Sequence, residues 1–361
     1  MVYSINGSFC VRNQRYIMAD GSPSDYLSQC CKLGKGHYTE DLCSYIEEWS
    51  DELSYRKMSK LLTRQTGCTV LGHSGIGSYL SCKAVSISAA WVAASKPQVS
   101  NIAVLASISL YDCKSEEVIL MMDDVGVKAQ KPHKKLSRMD CDAKRLDTTV
   151  VLVQDSEQHY HCATKGIDKV GNTVYSIEQA IIDKVSQFHD TEKPIPLVAI
   201  TDGASSIRSS LQKVFGLSVC IVLDWYHLQL KIKKLMSMIA VNKNQKELHI
   251  KVLKAFLWVG NSSAAIQYIY NITEVKNEIK QKELRDYLQK HAAEIIDYGL
   301  RKSANKTIGS GRAEKYNDLI VAHRQKKKGM AWARVGTASL AIIRTKNINN
   351  NLKMSARTSG Q

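Results

Sequence analysis

The chain has 361 residues, 44% hydrophobic and 23% charged, enough length and apolar material for two or three globular domains with real cores. Its 50 Lys and Arg against 34 Asp and Glu leave a net charge of +16, which asks for a polyanionic partner. Residues 301–361 alone, with 14 basic and two acidic side chains, supply +12 of that excess. No apolar run approaches the ~20 residues of a membrane span, and the start, MVYSINGSFCVRNQ, lacks a signal-peptide core. Membrane and export are thereby set aside in favour of nucleic acid and a cytoplasmic location.

Residues 1–39 are polar, with a turn-like GSPSD at 21–25, and read as an irregular segment. None of the ten cysteines forms a CxxC, so reduced thiols are the default. Cys10, Cys30, Cys31, His37 and Cys43 read either as a small zinc site of irregular spacing or as plain thiols. Residues 40–85 are helical in pattern: EDLCSYIEEWSDEL at 40–53, SYRKMSKLL at 54–62 with Ser54 as N-cap, a TRQTG break, then HSGIGSYL at 73–80. The outline is that of a helix-turn-helix or of an ordinary αα-hairpin. If it reads DNA, Arg56, Lys57, Lys60 and His73 are the contacts. Residues 86–117 read as a connector broken by Pro97.

From 118 the pattern becomes α/β. The apolar run 118–122 ends in Asp123 and Asp124, and KPHKK at 131–135 is a basic loop. Segments 148–153 and 159–163 pair as a hairpin, and 175–188 is an amphipathic helix with Ile177, Ala180, Ile181, Val185 and Phe188 on one face. Strand 197–201 ends in Asp202, a helix carries Ile207, Leu211 and Val214, and strand 219–223 ends in Asp224. Three strands followed by helix, strand, helix, strand over 118–227 is the element order of a ribonuclease H-like mixed sheet. Residues 228–304 hold only helical runs and no proline, an all-α insertion. Residues 305–345 return as the closing helices of the core, and 346–361 are a polar tail.

Acids at the carboxyl ends of buried strands sit where open α/β sheets carry their chemistry. Phosphodiester transfer needs about three carboxylates to hold two divalent cations. Asp123 and Asp202 would lie on neighbouring strands of such a sheet, and the third acid must come from 301–361, as Glu314 or Asp318. Glu314 follows IGSGR, whose glycines admit a phosphate and whose Arg312 neutralises it. His227 reads as a core histidine or as a positioning group, and Lys326, Lys327 and Lys328 as a solvated helix end or a DNA contact.

VAITDGASSI, VLDWYH and GSGRAEKYNDLIVAHRQKKKGMAW together resemble the DDE transposases of bacterial insertion sequences. The likeness spans roughly 40–345 and is nearest to the Mutator-like lineage with a helical insertion before the final glutamate. It implies a ribonuclease H-like core, Asp202 as second catalytic acid and Glu314 as third, both metal ligands. It also implies Asp224 and His227 as a supporting Asp-x-x-His element, with Trp332 as the downstream tryptophan. The family's first acid is followed directly by glycine, whereas here the run is Asp123-Asp124-Val125-Gly126. Aligning the apolar positions favours Asp123, with Asp124 the competitor, and strand alternation lets only one of them face the metals. The resemblance further implies two Mg²⁺ ions with Mn²⁺ as alternative, terminal inverted repeats and target duplex DNA as partners, a homodimer or larger oligomer, and a bacterial, nucleoid-associated location. Three other readings stay open: a nuclease or resolvase without strand transfer, an inactive DNA-binding relic, and a nucleotide-binding α/β protein using DGAS as a phosphate turn.

Overall fold

The computed structural model describes residues 1–25, 33, 37–95, 102–131 and 145–358, with side chains to 352. Cys30, Cys31, Pro97 and residues 132–135 of the basic loop lie outside them.

Two short hairpins open the chain, β1 (Val2–Ser4) with β2 (Gly7–Phe9) and β3 (Arg15–Ile17) with β4 (Pro23–Asp25). This corrects the expected irregular segment. Three-residue strands are too short to leave a period-2 signature. Helices α1 (Glu40–Trp49) and α2 (Tyr55–Thr66) follow; Ser54 caps α2 by accepting from Lys57 N at 3.2 Å, and Gly67 ends it at φ 69°. Helix α3 (His73–Ala94) runs 22 residues, well past the expected 73–80. SISAAWVAA contains no breaker, so the helix continues into the presumed connector and buries Ala84, Ile87 and Ser88.

The sheet comprises β5 (Val118–Lys128), β6 (Arg145–Gln154) and β7 (Tyr160–Ala163), then β10 (Leu197–Thr201) and β11 (Cys220–Leu223). A side hairpin of β8 (Gly166–Ile167) and β9 (Thr173–Tyr175), helix α4 (Ile177–Phe188) and helix α5 (Ser205–Phe215) fill the connections. Spatial order is β11-β10-β5-β6-β7, with β5, β6 and β7 antiparallel and β10 and β11 parallel to β5. The chain is therefore α/β with a five-stranded mixed sheet.

Helices α6 (Trp225–Ile239), α7 (Lys243–Trp258), α8 (Ser262–Tyr270) and α9 (Glu278–Lys290), a 3₁₀ turn (Ala292–Glu294) and α10 (Tyr298–Ser303) follow over the segment read as an insertion. Helix α11 (Gly311–Asn317) continues through a π-helical turn (Asp318–Ala322) into α12 (His323–Gln325), and α13 (Arg334–Thr358) closes the chain. Among the described residues no helix is long and apolar enough to cross a membrane.

Alternation along the strands divides the core. Ile119, Met121, Val125, Val198, Ile200 and Val222 face the helices of the N-terminal region, the insertion and the C-terminus. Leu120, Met122, Leu197 and Ala199 face α4 and α5. The insertion is fastened to the end of β11 by Trp225, whose ring lies 4.9 Å from both Trp258 and Tyr298, while Tyr298 Oη donates to Leu223 O at 2.8 Å.

Candidate active site

β5 does not end at Met122, as its apolar run suggests, but continues to Lys128, so Asp123 and Asp124 are mid-strand residues. Registers Met122↔Thr201 and Thr201↔Leu223 put Asp123, Asp202 and Asp224 at one level across three adjacent parallel strands. Each has the parity of residues facing the insertion side, Met121, Ile200 and Val222. Asp124 has the opposite parity and accepts from its cross-strand neighbour, Thr149 Oγ1, at 2.5 Å. Of the two candidates, Asp123 is the one turned toward Asp202.

Asp123 is half-buried, and its carboxyl is pushed up to about 6 by burial and then by the negative charge of Asp202. One oxygen accepts from Asp124 N at 2.8 Å and the other from Asn317 Nδ2 at 2.7 Å. Asp202 begins a tight turn in which its Oδ1 accepts from Ala204 N at 2.9 Å. Gly203 follows at φ +85°, and a Cβ there would stand 2.7 Å from His291 Cε1. Both the backbone angle and the space require glycine. His291 bonds Glu294 at 2.6 Å through Nδ1, and Glu294 pairs with Arg208 of α5, so the insertion clamps the Asp202 turn from outside.

Asp224 is a different kind of acid. Almost fully buried, it caps α6 by accepting from Tyr226 N and His227 N at 2.5 and 2.9 Å. Its second oxygen accepts from both Ser310 N and Ser310 Oγ. Burial raises its proton affinity, but contacts from His227 and Ser310 outweigh that and bring it down to about 2. Asp224 thus ties the IGSG segment to the start of α6. Gly309 permits this because a Cβ there would meet the Tyr226 ring at 2.5 Å.

Glu314 stands on the first turn of α11, exposed, with Oε1 3.7 Å from His227 Nε2. The other ring nitrogen, Nδ1, is 3.5 Å from Asp224. His227 is raised to about 9, first by Asp224, with Asp123 and Glu314 adding to it, so it is a cation at neutral pH. Three acids, Asp224, Asp123 and Glu314, thus act on this one ring. Among the described residues no three His, Cys, Asp or Glu side chains converge closely enough to form a metal-holding cluster as they stand. Asp123 and Asp202 are the closely coupled pair, and Glu314 is joined to them through His227.

The other expected residues fall elsewhere. Trp332 is buried, its backbone pairs with Lys128 at the end of β5 and with Gln130 just beyond it, and its Nε1 donates to Gln325 O at 2.9 Å. Six residues beyond Asp123 is about 20 Å along a strand, so Trp332 is a packing residue away from the acids. It holds the N-terminal helices, with Tyr55 of α2 edge-on at 6.4 Å and Arg324 between them. Arg56, Lys57, Lys60 and His73 are exposed on α2 and at the start of α3. Lys326, Lys327 and Lys328 are exposed beside that junction, where Lys327 donates to Glu52 O at 3.2 Å. Arg312 lies over the Tyr160 ring at 4.9 Å, two residues before Glu314. Around the N-terminal cysteines, no zinc-holding group occurs among the described residues.

Asn317, Ser310 and His291 escaped the sequence reading. Only Asn317 carried a signal, being three residues after Glu314 and so on the same helical face.

No protein-family model and no curated protein matches this chain. Among solved structures it is similar to the Drosophila P element transposase strand transfer complex, at 10% identity over 89% of this chain and 81% of that one, with a TM-score of 0.27. A likeness of that size carries no chemistry, which rests on the geometry above.

Proposed function

We propose that the chain is a DDE-type transposase, cleaving DNA at the ends of a mobile element and joining the freed 3′ end to a target. The observation that carries this reading is the side-by-side pair Asp123 and Asp202, at one level on adjacent parallel strands, with Glu314 returned toward them beyond a helical insertion. The strand order β11-β10-β5-β6-β7, antiparallel then parallel, supports a ribonuclease H-like core.

The donor set suits hard divalent cations: all ligands are carboxylate oxygens, and a cation would offset both the burial of Asp123 and its repulsion by Asp202, which together raise it to about 6. Asp123, Asp202 and Glu314 would hold two Mg²⁺ ions, or Mn²⁺, which would supply activation of the attacking oxygen and stabilisation of the leaving one. The chain's own groups do the positioning. Asn317 orients Asp123, His291 packs against the Asp202 turn at Gly203 and is itself bonded to Arg208, and Asp224 fixes the loop that delivers Glu314. Cationic His227 stands beside Glu314, where it would meet a phosphate oxygen or steady the carboxylate. Arg312 and the exposed bases of α2, His73 and Lys326–Lys328 would track duplex DNA, the terminal repeats included.

Asp202→Ala and Glu314→Ala should each lower Mg²⁺-dependent strand cleavage by roughly 10³-fold while leaving DNA binding intact. Unchanged cleavage in both variants overturns the reading. Joined products from a pre-cut end separate a transposase from a nuclease with the same acids.

A further inference from the structure

Helix α6 begins at the acids and leads away from them. Its solvent face carries Tyr226, Leu230, Lys233, Lys234 and Ser237, all exposed. At its far half Lys233 faces α7, where Lys246, Ile250 and Lys254 recur at four-residue spacing on one side of the helix. Together with Lys251 they line an open groove of about 490 Å³. Its one acid, Glu247, is shared with Lys243 at 4.0 Å.

By contrast, Lys231 and Lys280 elsewhere in the insertion both pair with Glu283, at 3.0 and 2.7 Å. In the groove, among the described residues, none of Lys233, Lys246, Lys251 and Lys254 has a carboxylate within ion-pair distance. Lys254 is half-buried, and its ammonium is held below the ordinary lysine range by burial and by the charge of Lys233. Like charges gathered this way cost the folded protein free energy, and a polyanion would relieve that cost. Ile250 is the one apolar side chain of the groove, whereas a lipid-docking face needs an apolar surface around its charges.

We propose that this groove is a second DNA contact, gripping the phosphate backbone of the duplex whose reacting strand lies at Asp123 and Asp202. It rests on the transposase reading and adds a residue-specific role for the insertion. Tyr226 to Lys233 is about 10 Å of helix, roughly three base-pair steps of duplex. A duplex leaving the acids along α6 therefore meets the lysines within its first few phosphates.

The test is fluorescence anisotropy of the full chain with a labelled mixed-sequence DNA duplex in EDTA, titrated with salt. Lys246→Gln/Lys254→Gln should weaken binding about tenfold and reduce the slope of log K against log salt by about 2. Lys246→Arg/Lys254→Arg should keep the slope. An unchanged slope in the glutamine variant overturns the proposal, as does a wild-type chain that binds phosphatidylglycerol vesicles and not DNA. The outcome is separable from catalysis. A wild type that cleaves while the variant keeps its slope leaves the acids standing and removes the groove. A wild type that binds without cleaving, with the slope lost in the variant, does the reverse.

Discussion

The candidate site is built from two halves of different construction. Asp123 and Asp202 sit on central strands whose pairing register fixes their level and whose alternation fixes their face. Glu314 sits at the start of a seven-residue helix, exposed, and is located by side chains: Ser310 on Asp224, Asp224 and Glu314 on either side of His227. Buried Arg301 steadies the approach to that helix by pairing with Glu117 at 2.7 and 3.0 Å and donating to Thr307 O at 2.7 Å. The sheet half is set by the backbone pairing of β5, β10 and β11 and should tolerate the loss of a single neighbouring side chain. The helical half depends on a few polar groups and should fail when one of them is removed.

The largest test of that difference is Asp224→Ala. It removes the cap of α6 and leaves Ser310 N and Oγ buried without their acceptor, for a loss of about 3 kcal/mol in stability. Urea denaturation reads the loss, and cleavage should fall with it because Glu314 is no longer held. Asp224→Asn keeps the cap but turns an amide N–H2 toward Ser310 N, so it should recover the capping part of the stability only, and little of the cleavage. If Asp224→Ala proved neutral, Glu314 would be located by its helix alone and the two halves would not differ.

This division also explains what could be read from the sequence. The strands, their order and the acid ending β10 were legible because buried strands leave apolar runs with punctuation, and the insertion because helical periodicity persists from 228 onward. The length of β5 was not legible: Asp123 and Asp124 look like the end of a run, and only pairing with Thr149 and Val150 of β6 keeps them in the strand. Which acid faces inward follows from that pairing. Trp332 was expected beside the site because the resemblance implies a tryptophan downstream of the glutamate, but its place is decided by a bridge to Ala129. Ser310 and His291 were invisible because each acts through a contact more than 80 residues away, with Asp224 and with Gly203.

Asn317 connects the halves, since it sits on α11 yet donates to Asp123. Asn317→Ala should reduce cleavage about 10- to 100-fold, as losses of groups orienting a metal ligand do. The donated hydrogen bond favours ionised Asp123, so its removal should also move the acid limb of the pH–rate profile to higher pH. A residue that merely packs would lower stability and leave that limb in place. Asn317→Gln, longer by one methylene, should not restore the original limb.

The smallest effect has the opposite sign. In metal-free protein Asp123 binds its proton more tightly when folded, at about 6 against 3.8, so its contribution to stability is complete below 3.8 and lost as pH rises through 6. His227, raised to about 9 from 6.5, contributes stability that is complete below 6.5 and lost as pH rises through 9. Asp202→Asn removes the charge that, after burial, does most to raise Asp123. Stability in EDTA at neutral pH should therefore increase by about 1 kcal/mol at most, and its decline between pH 4 and 6 should flatten. The step near pH 9 should persist, because it belongs to His227 and Asp224. Denaturation midpoints measured across pH for wild type and Asp202→Asn read both steps. A variant that inactivates cleavage yet stabilises the fold marks the sheet half as holding two like charges together at a cost, and a less stable variant would mean that Asp202 serves the fold instead.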